Sequence, residues 1–131
     1  MRMIFLNLPV KDLRSSRAFF TELGFEFHAE FSDDKAACMV VDQNIYVMLL
    51  MEERFRDFIN GEISDATTAT EVLTCLSVES RKQVDDLVAR AITAGGKPWK
   101  PVIDHGPMYG GSFQDLDGHV WELMHMEQGA S

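Results

Sequence analysis

Cysteine is scarce in this chain. Only Cys38 and Cys75 occur among 131 residues, with no CxxC pair and no Cys/His spacing of the zinc-site kind. A disulfide framework and a structural zinc site are thereby excluded, and both cysteines, each inside an apolar strand-like run, read as free buried thiols. Basic residues are also in short supply. Twelve Lys and Arg stand against 21 Asp and Glu, a formal net charge of -9. Such a surface repels a phosphate backbone, which argues against a nucleic-acid partner and suits a cationic or neutral small ligand. Long apolar runs are missing too, and nothing approaches the roughly 20 residues of a membrane span. The opening stretch, Met1 to Val10, carries one Arg and is broken by Asn7 and Pro9, unlike a cleaved export signal. The expectation is a soluble, cytoplasmic protein with no membrane role. The remaining composition, 46% hydrophobic and 25% charged, is ordinary for a globular chain. Its length suits one domain, or one domain built from two similar halves.

The apolar periodicity supports the second option. Met3 to Val10 alternates as a strand does, and Asp12 to Leu23 has helical spacing. Asp12 or Ser15 is placed to cap that helix, and Gly24 to close it. Phe25 to Phe31 alternates again, with His28 on its polar side. Ala36 to Asp42 and Ile45 to Met51 form a hairpin pattern about Asp42-Gln43-Asn44. The same order then returns. Val72 to Val78 reads as a strand and Ser80 to Ala94 as a helix with Val84, Leu87, Val88, Ala91 and Ile92 on one stripe, ended by Gly95-Gly96. Lys97 to Val102, with Pro98 and Pro101, suits a sheet edge. Gly110 to Gln114 and His119 to Met126 flank the turn Asp115-Leu116-Asp117-Gly118. Leu8-Pro9-Val10 aligns with Leu76-Ser77-Val78, and Ile45 to Leu50 aligns with His119 to Met124. The chain therefore divides into a module at about 1–52, a linker with a short helix near Arg54 to Asn60 at about 53–70, and a second module at about 71–127.

Asn7-Leu8-Pro9-Val10-Lys11-Asp12-Leu13 with Ser16, Phe19-Phe20 and Leu23-Gly24-Phe25 resembles the opening of the vicinal oxygen chelate superfamily, which includes glyoxalase I, extradiol dioxygenases and bleomycin-resistance proteins. Phe113-Gln114-Asp115-Leu116-Asp117-Gly118-His119-Val120-Trp121-Glu122-Leu123 resembles its closing motif. The resemblance implies an α+β fold of paired βαβββ modules forming a curved sheet around a cleft, and a homodimer. It also implies a divalent metal held by one residue from the first and one from the last strand of each module. Those four positions fall on Phe5, Met48, Leu73 and Glu122. Phe, Met and Leu are not useful ligands for a hard or borderline cation. No metal or other cofactor is therefore expected, and Glu122 remains as the candidate base or polar anchor.

Strand parity assigns to the presumed pocket Phe5, Asn7, Tyr46, Met48, Glu71, Leu73, Cys75, Val120, Glu122 and Met124. This is an apolar lining with few polar points, suited to a small organic ligand. Two function classes follow. One is a metal-free binding protein like those of the bleomycin-resistance branch. The other is a metal-dependent lyase or isomerase of the lactoylglutathione lyase type, or a dioxygenase. Other features carry less. His119 and His125 fall on the opposite strand face from Glu122, so the three do not form a ligand cluster. His105 lies in a loop, where a histidine can serve as acid or base. Gly110-Gly111 lacks the lysine of a phosphate loop and suits a bend. Ser15-Ser16 suits helix capping.

Overall fold

The computed structural model describes residues 1 to 127, which divide into two compact units, Met1–Ser64 and a second that starts at Asp65. In the first unit the chain runs β1 (Ile4–Val10), α1 (Leu13–Glu22), β2 (Glu26–Phe27), β3 (Ala36–Asp42), β4 (Ile45–Met51) and α2 (Glu52–Arg56). The sheet order is β1-β4-β3-β2, with β1 parallel to β4 and the remaining pairs antiparallel. Asp12 caps α1 by accepting the Ser15 amide, and Gly24 closes it at φ 99°. That angle lies in the left-handed region that glycine enters without strain. The apolar stripe of α1, with Leu13, Phe19 and Phe20 buried, packs on β3 and β4.

The second unit repeats the plan. It runs β5 (Leu73–Ser77), α3 (Arg81–Thr93), β6 (Lys97–Pro98), β7 (Ile103–Asp104), β8 (Met108–Gln114) and β9 (Val120–Met126). The order is β5-β9-β8, with β6 and β7 both on the far edge of β8. Ser80 caps α3 through the Gln83 amide. The pairing registers of the two units correspond residue for residue. Phe5 pairs with Tyr46 and Asn7 with Met48, while Leu73 pairs with Val120 and Cys75 with Glu122. Cys38 opposes Met48 as Ser112 opposes Glu122. A one-residue slip would have reversed every face, so this agreement fixes which side chains share a surface.

Four expectations need correction. Phe25 to Phe31 is not a full strand. The His28 amide still donates to the Cys38 carbonyl, and the chain then leaves β3 and makes a 3-10 turn, Ala29–Phe31. The Ser32 hydroxyl donates to the His28 carbonyl and accepts the Cys38 amide, which replaces the next rung of the ladder. Phe31, which a continuous strand would put on one face with Phe25, is 60% exposed and lies against the His28 ring. His28 is half-buried rather than on the surface, and its Nδ1 is enclosed with no hydrogen-bond partner. Cys38 is buried as expected, but Cys75 is exposed. The linker helix starts earlier than its spacing suggested, directly from the end of β4.

Gly111 shows how closely α3 meets its sheet. A Cβ there would lie 3.0 Å from Val84 Cγ1 and 3.0 Å from Val88 Cγ2. Both neighbours are β-branched and stiff at χ1, so neither moves aside cheaply. Gly111→Ala should therefore cost about 1–3 kcal/mol through overpacking and lower the melting temperature by several degrees. Thermal denaturation of the purified variant checks this, and an unchanged melting temperature would refute the close contact.

Candidate functional site

The second unit has a cavity whose origin lies in a mismatch along one edge. Lys97 and Pro98 pair with Gln114 and Phe113, and Ile103 and Asp104 pair with Gly110 and Tyr109. Between these rungs β8 has only Gly111 and Ser112, whereas the edge chain has residues 99–102. The surplus arches off the sheet. Ser112 holds the arch down. Its Oγ accepts the Lys100 amide at 3.1 Å and donates to the Lys100 carbonyl at 3.5 Å. Pro101 has no amide to offer a ladder, which suits an arch at an edge.

Arg81 secures the far end of the arch. Its guanidinium donates to both Asp104 carboxylate oxygens, at 2.9 and 3.1 Å, and to the Gly106 carbonyl. It also lies 4.8 Å over the Tyr109 ring, whose hydroxyl donates to Asp85 at 2.7 Å. The guanidinium fork holds the Asp104 carboxyl below the usual carboxylate range. Two adjacent donors in one plane match a carboxylate better than a single ammonium can.

The space beneath the arch is a cavity of about 90 Å³. Its roof is Lys100, Pro101 and Ile103. Met108 and Met124 supply apolar surface, and Gly110, Gly111, Ser112, Glu122 and Leu123 complete the lining. Glu122 is half-buried. Among the described residues its carboxylate makes no hydrogen bond or ion pair, whereas Ser112 is already engaged by Lys100. Across the ladder Glu122 opposes Cys75 on β5. Partial burial pushes the Cys75 thiol above its ordinary value, and the Glu122 charge adds to that shift. Both effects disfavour the Cys75 thiolate at neutral pH.

The anticipated pocket residues divide between the units. In the first unit Phe5, Asn7, Tyr46 and Met48 share one sheet face, where Phe5 and Tyr46 stack with ring centroids 5.0 Å apart. The Asn7 side-chain amide donates to the Phe5 carbonyl, so it is locally occupied. In the second unit Leu73, Cys75, Val120, Glu122 and Met124 share the face away from α3. Only Glu122 and Met124 of these line the cavity. Leu73 is 52% exposed at the edge, and Val120 is buried. Glu71 precedes β5 in irregular, exposed chain and does not line the cavity. His125 lies on the α3 face, with Nδ1 3.2 Å from the Val78 carbonyl, and so stands apart from Glu122. His105 is exposed in the loop after β7.

Lys100, Pro101, Ile103, Met108, Gly110 and Ser112 escaped the sequence reading. Two prolines followed by Gly110-Gly111 marked an irregular edge. The pairing that turns that edge into an arch is nonlocal.

The donor set does not fit the divalent cation that the resemblance implies. Phe5, Met48 and Leu73 present a phenyl, a thioether and an isobutyl group at three of the four ligand positions. Glu122 has a neutral thiol and an engaged hydroxyl beside it. Among the described residues no three His, Cys, Asp or Glu side chains are grouped to hold a metal. Hard cations need several oxygen or nitrogen donors, and one carboxylate is too few.

Residues 2–42 match the family described as bleomycin resistance protein-like N-terminal. No curated protein matches the sequence. Among solved structures, a hypothetical protein of S. aureus is similar at 27% identity and TM-score 0.81, over 95% of this chain and 94% of that one. A glyoxalase/bleomycin resistance protein/dioxygenase family enzyme of Burkholderia phytofirmans PsJN follows at 18% identity and TM-score 0.79, over 96% and 99%. The genomically encoded fosfomycin resistance protein FosX of Listeria monocytogenes shares 19% identity at TM-score 0.70, over 99% and 97%. Among the described residues no helix is long and apolar enough to cross a membrane. The chain thus resembles the bleomycin resistance protein-like family over residues 2–42 and shares the fold of solved glyoxalase/bleomycin resistance protein/dioxygenase structures.

Proposed function

We propose that the protein binds a small organic cation without a metal, the Glu122 carboxylate receiving the positive group and the apolar lining of the arch cavity receiving part of its body. One observation carries this reading. Glu122 is a half-buried carboxylate with no protein partner among the described residues, at the wall of a cavity otherwise lined mainly by Met, Ile, Leu, Pro and Gly. A half-buried carboxylate keeps only part of its hydration, and a ligand ammonium offers it a charge-assisted partner. The net charge of -9 favours the approach of a cation over an anion. The cavity, about 90 Å³, is well below the roughly 300–1,000 Å³ of a drug-sized pocket. It therefore holds one end of a ligand, such as the edge of a ring or a short alkyl chain. A metal-dependent lyase, isomerase or dioxygenase draws no support from the donor set. FosX has been solved with Mn(II), but three of the four positions at which the resemblance implies metal ligands hold Phe5, Met48 and Leu73 here.

Benzylamine and benzyl alcohol test the proposal, since they share a ring and differ in charge. Protein-observed NMR titration should give benzylamine a dissociation constant of about 1 mM and benzyl alcohol one at least roughly tenfold weaker, the scale of one charge-assisted hydrogen bond. Shifted amides should cluster at Lys100, Ser112, Glu122 and Met124. Equal affinity for the two, or shifts confined elsewhere, would contradict the assignment.

A further inference from the structure

Two adjacent glycines in β8 exist for different reasons, and the difference points into the cavity. Gly111 faces α3, where a Cβ would press against Val84 and Val88. Gly110 faces the other way, towards the arch, beside Met124 on β9 and Ile103 on β7. Its φ is not positive, so the backbone does not require glycine there. A Cβ on Gly110 would meet only the Leu123 carbonyl oxygen at 3.5 Å, an ordinary contact, and otherwise open space. Glycine in a strand interior gives up packing and costs backbone entropy, and nothing in the fold recovers that loss here. The open space is the cavity itself, which Gly110 lines.

We infer that Gly110 is a specificity-determining position, a side-chain-free floor that admits the apolar end of the ligand and sets the largest group the cavity accepts. This rests on the reading of the arch cavity as a ligand site and names what that site selects, a slim apolar group carried next to a cation. A cavity of about 90 Å³ has room for about three waters at roughly 30 Å³ each. Alanine at 110 would narrow it, and the isopropyl group of valine would occupy most of it.

The experiment compares wild type, Gly110→Ala and Gly110→Val, each titrated with benzylamine and with benzyl alcohol by NMR, with melting temperatures measured alongside. Gly110→Ala should melt at or slightly above the wild-type temperature and bind benzylamine several-fold more weakly. Gly110→Val should weaken benzylamine and benzyl alcohol by the same factor, tenfold or more, because steric exclusion ignores charge. Unchanged affinities in Gly110→Val would overturn the inference. A large fall in the melting temperature of Gly110→Ala would also overturn it, since the fold would then require glycine. If wild type binds both probes equally and Gly110→Val loses both, the floor assignment stands and the Glu122 anchor falls. Wild type binding neither probe would overturn both.

Discussion

Asp115→Ala is expected to lower folding stability by about 3 kcal/mol or more and the melting temperature by roughly 10 °C. Asp115 opens the turn between β8 and β9 and is only 5% exposed. One carboxylate oxygen accepts the amides of Asp117 and His119, each at 3.0 Å. The other accepts the Trp121 indole N–H at 2.9 Å. Trp121 is 1% exposed, so its N–H has no water to turn to once the carboxylate is gone. An orphaned buried donor costs about 1–3 kcal/mol, and truncation also frees two turn amides. Burial pushes the Asp115 carboxyl above its ordinary value, partly offset by the charge of His119. Asp115→Asn separates these contributions. It retains an acceptor for the turn amides but turns an NH₂ towards the indole, so its loss should lie between wild type and alanine. Thermal or urea denaturation reads all three. An alanine variant as stable as wild type would show that this carboxylate does not hold the turn.

That turn illustrates what was legible in the sequence. Asp115-Leu116-Asp117-Gly118 announced a turn from composition alone, and Gly118 at φ 88° confirms the local geometry. The sequence did not announce that Asp115 would reach across the turn to the ring of Trp121. The strands and helices were legible for a related reason. Helix caps such as Asp12 and Ser80 act within a few residues of where they stand, and hydrophobic alternation is local. The alignment of Met48 with Glu122 was likewise readable, and the pairing registers reproduce it.

Failures came where a distant segment decides. Phe25, Phe27, Ala29 and Phe31 alternate as a strand would. Strand length there depends on how far β3 offers partners, and Ser32 ends the pairing by taking the Cys38 amide. Cys75 lies in an apolar run, but β5 is an edge strand and leaves it exposed. The arch depends on a two-residue surplus against β8, which a single segment cannot reveal. Glu122 was found because its strand alternates cleanly. Its surroundings were found only in three dimensions.

We propose that Glu122 serves a ligand rather than the fold. Glu122→Gln keeps the shape of the side chain and removes its charge. On this account the fold loses nothing, because the carboxylate has no protein partner among the described residues to lose. Removing a partly desolvated charge should leave the melting temperature unchanged or raise it. The ligand, by contrast, loses a charge-assisted hydrogen bond of about 1.5–3 kcal/mol, a weakening of roughly tenfold to a hundredfold. Strand β9 keeps Trp121 and Leu123 on the α3 side in either case, so a loss of binding would not reflect a rearranged core. The most direct measurement is the benzylamine dissociation constant of wild type and Glu122→Gln at neutral pH, with the melting temperature of each sample. Glu122→Gln should bind benzylamine at least tenfold more weakly at an equal or higher melting temperature. Unchanged affinity together with a lower melting temperature would contradict it and make Glu122 a structural residue.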